Sequence, residues 1–168
     1  MTTHICETLA TSQTAPDLEV VVRNHRPAPQ GSKKHIGNGR MIEHSKRVKP
    51  WRDVVHEAAK AAMNDRWLAG RGEEILDGPL SVEVVFTVRK PASAPKRRVT
   101  WPTTRDSGDI DKLLRSTFDA LTTSDAIADD SRVVEVTARK VFPGEGLDAL
   151  DAPGAVIRVW KLTEAAAR

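Results

Sequence analysis

The chain has 168 residues, 39% of them hydrophobic and 29% charged, and a formal net charge of +3. That length suits one domain burying about two thirds of its unfolded surface, so neither a disulfide nor a zinc staple is needed to fold it. The single cysteine, Cys6, excludes a disulfide framework and a cysteine-rich zinc site; no apolar run approaches membrane length and no basic-then-apolar leader opens the chain, so a soluble protein of a reducing, cytoplasmic compartment is expected.

In chain order, residues 1–16 mix Thr, Ser, Ala and Pro without periodicity and read as a disordered tail. Leu18–Val22 is rich in β-branched residues and predicts a first strand. Residues 26–40 carry Pro27, Pro29, Gly31, Gly37 and Gly39 and read as a long basic loop, with a hairpin turn at Gly37-Asn38-Gly39. Trp51, Val54, Val55, Ala58, Ala59, Ala62 and Met63 recur at helical spacing after Pro50, and Gly70 and Gly72 end that helix. Leu80, Val82, Val84, Phe86 and Val88 alternate with more polar residues, a strand with one wet face. A proline-bearing basic loop covers 90–105. A second helix is predicted over 109–121, with Ile110, Leu113, Leu114, Phe118 and Leu121 as its inward stripe. Two strands follow, Val133–Phe142 and Ala155–Leu162. The order β-α-β-α-β-β predicts an α/β (α+β) fold, a small mixed sheet with two main helices packed on it. One domain over 17–163 and a short C-terminal tail, 164–168, complete the expected organisation.

Charge is unevenly placed. Nine Lys/Arg stand against one acid between Arg23 and Arg52, and six against none between Arg89 and Arg105. From Asp106 to Asp130 seven aspartates face only Lys112 and Arg115. Paired cationic stretches are the footprint of a polyanion binder, because every phosphate neutralised releases counterions. Lys33, Lys34, Lys96, Arg97 and Arg98 are the candidate backbone contacts, and Trp101, inside the second stretch, is a candidate for stacking on an unpaired base. Trp51, Trp67 and Trp160 read as packing.

The acidic stretch has two readings. Asp109 and Asp111 could cap a helix, with Asp111 pairing Arg115 at i, i+4, while Asp129-Asp130 make a turn. Alternatively Asp109, Asp111 and Asp130 converge, if the chain reverses efficiently after the helix, into a hard oxygen site for Mg²⁺ or Mn²⁺. A divalent ion so held neutralises charge in an in-line phosphoryl transfer, which explains an acidic centre between cationic loops. The five histidines lack zinc spacing, and no serine has a nucleophile's context.

Asp109-Ile110-Asp111-Lys112-Leu113-Leu114-Arg115, then Asp119-Ala120-Leu121, then Asp129-Asp130 before a strand, resembles the RusA family of Holliday junction resolvases, small phage- and prophage-associated endodeoxyribonucleases. The family motif runs Asp-x-Asp-Asn-Leu-x-Lys, then Asp-Ala-Leu, then Asp-Asp. The resemblance implies a RusA-like domain and a homodimer that resolves four-way branched DNA in recombination and repair by paired symmetric nicks, with Mg²⁺ as cofactor. It implies Asp109, Asp111 and Asp130 as metal-binding catalytic carboxylates and Arg115 in the place of the family's functional lysine. Two residues depart from the pattern: Lys112 stands for the usual Asn, and Arg115 replaces a compact donor with a planar fork. The competing reading is a non-catalytic DNA-binding or recombination accessory protein.

Overall fold

The computed structural model describes residues 15–163 apart from 32, 36–40, 44, 45, 73, 96 and 97. The expected N-terminal tail, all but residues 15 and 16, and the C-terminal tail 164–168 lie outside the described residues. Four strands form one mixed sheet: β1 (Leu18–Arg23), β4 (Leu80–Thr87), β5 (Val133–Val141) and β6 (Gly154–Lys161) stand in the order β1-β6-β4-β5. β6 runs antiparallel to both β1 and β4, while β4 and β5 are parallel. Two helices, α1 (Val48–Leu68) and α2 (Ile110–Thr123), complete the α+β architecture expected from the sequence.

Alternation decides which face the helices cover. Leu18, Val20 and Val22 of β1, Leu80, Val82, Val84 and Phe86 of β4, and Ala155, Ile157 and Val159 of β6 are buried in one cluster with Val55 and Ala59 of α1 and Leu113, Ala120 and Leu121 of α2. Trp51 is 1% exposed, and its indole N–H donates to the Thr117 hydroxyl at 3.2 Å, tying the helices together. The helix-free face carries the intervening polar residues. Glu19, Glu83 and Asp148 surround the guanidinium of Arg158 there, and Arg139 joins them.

Two differences from the sequence reading have local causes. The basic loop holds a short antiparallel pair, β2 (Lys33–His35) and β3 (Met41–Glu43), whose three-residue strands are too brief to show a period. Its predicted turn at 37–39 lies outside the described residues. In α2, Ile110 is 36% exposed and not inward; the buried face is centred on Leu113, Ser116, Thr117, Ala120 and Leu121. Ser116 and Thr117 tolerate burial because both hydroxyls are satisfied, Ser116 against the Ala28 carbonyl at 2.7 Å and Thr117 against that of Leu113 at 2.9 Å.

Candidate active site

α2 begins at a rigid corner. Gly108 has φ 79°, a left-handed conformation, and a Cβ there would stand 3.0 Å from a Pro29 carbon. The Lys140 ammonium, reaching over from β5, donates to the Gly108 carbonyl at 2.6 Å and to the Ser107 hydroxyl at 3.0 Å. Gln30 N–H donates to the Lys112 carbonyl at 3.0 Å. Two separate segments, Pro29-Gln30 and β5, thus fix the peptide that presents Asp109.

Asp109 is the N-cap residue, yet its side chain makes no capping hydrogen bond. Its carboxylate instead accepts from Lys112 Nζ at 2.7 Å. That bond and the charge of Lys112, helped by Lys140 and Arg105, hold the Asp109 carboxyl below its ordinary range; the same bond and the negative charges of Asp109 and Asp111 raise the Lys112 ammonium above its own. Asp111 lies exposed two residues further along. The i, i+4 pair between Asp111 and Arg115 is not formed among the described residues, and Asp109 is spent on an i, i+3 pair with Lys112 and not on a cap. Asp106 is bonded to Arg26, through the carboxylate at 2.5 Å and the carbonyl at 2.8 Å, and Arg47 and Arg89 add to the positive field that keeps it ionised.

Asp130 stands elsewhere. β4 and β5 are parallel, so α2 is the crossover between them and runs opposite to both. Lys140, near the end of β5, reaches Gly108 before α2, whereas Asp130 opens the 3-10 turn (Asp130–Arg132) that leads into the start of β5. The two acidic ends are separated by about the length of α2, roughly 20 Å. The expected convergence of Asp109, Asp111 and Asp130 within one chain is therefore corrected. The polypeptide does not reverse onto the helix start; it returns beside the helix end. Asp129, which precedes it, is consumed locally: the Ser131 side chain and then the Ser131 backbone N–H, 2.9 Å from Asp129 Oδ1, keep its carboxyl low.

The cationic residues are partly visible. Lys33 and Lys34 lie on β2, Arg98 is exposed, and Lys96 and Arg97 fall outside the described residues. Trp101 is 72% exposed, and Val99, two residues before it, is exposed as well. Arg26, Arg47, Arg89, Arg105 and Lys140, unassigned by the sequence reading, form the positive surroundings of Asp106 and Asp109. The signal for the first four was their place in the two basic runs; nothing in the pattern of β5 singles out Lys140.

A model of the family described as endodeoxyribonuclease RusA matches residues 23–148. The chain belongs to the RusA endodeoxyribonuclease family. The match takes in α1, β4, the cationic loop, all of α2, both acidic ends and β5, so it covers the whole of this site. Membership does not favour the accessory-protein reading. No curated protein matches the chain significantly. Among the described residues, no helix is long and apolar enough to cross a membrane.

The donor chemistry suits a hard divalent ion, since Asp109 and Asp111 offer only oxygen and the nearest cation, Lys112, already sits on one of them. The set in a single chain is incomplete: among the described residues no group of three His, Cys, Asp or Glu could hold a metal. Lys112 also competes for the same oxygen. Replacing it, as Lys112→Asn, is expected to lower the Mg²⁺ concentration for half-maximal cleavage about fivefold to tenfold, the scale of one charge some 4 Å from another in solvent. A metal titration of cleavage rate in both proteins tests this; an unchanged midpoint would mean that Lys112 leaves Asp109 whenever the ion binds.

Proposed function

We propose that this protein is a Mg²⁺-dependent, structure-selective endodeoxyribonuclease that resolves four-way DNA junctions by paired symmetric nicks, acting as a homodimer in cytoplasmic recombination and repair. Mn²⁺ is the expected substitute ion, and a single catalytic domain over 17–163 carries the activity. The observation that carries the reading is Asp109, an N-cap aspartate held out of capping beside Asp111 and ringed by cations, in a chain of the RusA family.

The geometry also supports a division of labour between two copies. Asp109 and Asp111 of one chain and the partner subunit's Asp130 would hold the ion, because one chain keeps these groups at opposite ends of α2. Val134 and Val136, 61% and 45% exposed on the edge strand β5 between those ends, supply an apolar strip suited to a second copy. Such an ion, when bound, neutralises charge at the phosphate undergoing hydrolysis. The protein's own groups do the rest. Lys140 fixes the peptide that carries Asp109, Arg115 offsets charge on the phosphate, and Lys33, Lys34, Lys96, Arg97 and Arg98 hold the backbone. Trp101 stacks on a base exposed at the branch.

The test is a labelled four-way junction incubated with purified protein, with Mg²⁺ or with chelator. Symmetric nicks that need Mg²⁺, and that disappear in Asp109→Asn protein still able to bind the junction, are expected. Tight binding without cleavage under any divalent ion would return the accessory-protein reading.

A further inference from the structure

The 90–100 part of the connection between β4 and α2 begins and ends on one carboxylate. Lys90, just past β4, is bonded to Glu145 Oε1, and the Thr100 backbone N–H donates to Glu145 Oε2 at 3.1 Å. The side chains of Lys90 and Glu145 are only 21% and 15% exposed, and the Phe142 ring lies 5.7 Å from the ammonium. Glu145 belongs to the connection between β5 and β6, so a residue distant in sequence closes the cationic loop into a ring. Within the closed segment stand Arg98 and Val99, and just past it Trp101, all exposed. Lys90 itself is spent inside the closure and is not offered to a phosphate.

We infer that Glu145 is a positioning residue for branched-DNA binding. It pins the described limbs of the 90–100 loop, at Lys90 and Thr100, so that Arg98 and Trp101 are held ready before DNA arrives. The inference rests on the reading of this loop as a DNA surface. A loop ordered in advance gives up less conformational freedom on binding than a free one, and the gain appears in affinity and not in the chemical step.

The experiment compares wild type, Glu145→Leu and Glu145→Gln by junction-cleavage kinetics and by limited trypsin digestion, with melting curves to confirm folding. Glu145→Leu removes both bonds and is expected to raise KM for the four-way junction about tenfold, leaving kcat within about twofold. Tryptic cleavage after Arg98 is expected to quicken severalfold in the same protein. Glu145→Gln keeps one acceptor oxygen, which can serve Thr100 or Lys90 but turns an N–H donor toward the other, and is expected to fall between wild type and Glu145→Leu in both properties at a temperature where all three proteins are folded. Unchanged cleavage after Arg98 overturns the clasp. Faster cleavage there with unchanged KM overturns the role in DNA binding. Failure of the wild type to act on any branched DNA overturns the proposed function, while the tryptic comparison still judges the clasp separately.

Discussion

Mixed with an equal amount of Asp130→Asn protein, Asp109→Asn protein is expected to regain cleavage that neither variant shows alone. Each substitution removes a carboxylate from the proposed ion site and is expected to slow cleavage on the order of 10³-fold. In a dimer whose sites are shared, pairing the two variants gathers both lesions into one site and leaves the other intact. Half of a randomly exchanged population is of this mixed kind, so about a quarter of the wild-type number of sites should return. The products should be single nicks, since a mixed dimer has one working site. Co-expression of differently tagged copies ensures exchange, and cleavage per mixed dimer is the quantity read. If all three carboxylates served one chain, every site in the mixture would keep one lesion and the mixture would stay as inactive as its parts. That result would remove the shared site while leaving the family assignment untouched.

The separation of the acidic ends bears on how much the sequence discloses. Helix α2 was legible because its apolar stripe and flanking acids agree, and β4 because alternation exposes one face. The outward turn of Ile110 and the burial of Ser116 and Thr117 were not legible, since the two hydroxyls are buried through hydrogen bonds that a hydrophobic pattern does not register. The place of Asp130 had a signal that could have been used. A strand, a helix and a strand in succession favour parallel pairing, which requires the helix to travel the full length of the sheet before the next strand starts. Applied to residues 80–141, that rule puts the residues before β5 at the far end of α2. Lys140 and Glu145 are different in kind. Their roles come from what lies opposite them in space, Gly108 for one and the limbs of the 90–100 loop for the other.

Arg158→Met is expected to destabilise the fold by about 3 kcal/mol at neutral pH, lowering Tm by roughly 6–12 °C, because it leaves partly buried acids with too little compensating charge. Arg158 Nε is 2.7 Å from Glu19, Nη1 and Nη2 are each 2.9 Å from Asp148, and Glu83 lies at 3.3 Å. After the substitution, among the described residues, Arg139 remains at 3.2 Å from Glu83 and from Asp148 but does not reach Glu19. The bonds from Arg158 hold the Asp148 carboxyl below its ordinary range. A carboxyl depressed on folding contributes stability that is fully present above its unfolded value, about 3.9, and is lost as pH falls through the folded one. Wild type and variant should therefore differ most in melts at pH 7 and 5, and should draw together below about pH 4. A gap that persisted undiminished at pH 3 would assign the loss to packing of the arginine stem and not to charge. The site gives this network its relevance to function. Asp148, at φ 60°, anchors the β5–β6 connection to the helix-free face, and Leu150 N–H fastens the same connection to the Thr87 hydroxyl at 3.0 Å. Glu145 lies on that connection three residues earlier, so loosening Asp148 should also slacken the closure of the cationic loop, and KM for branched DNA should rise in Arg158→Met at temperatures where the protein is still folded.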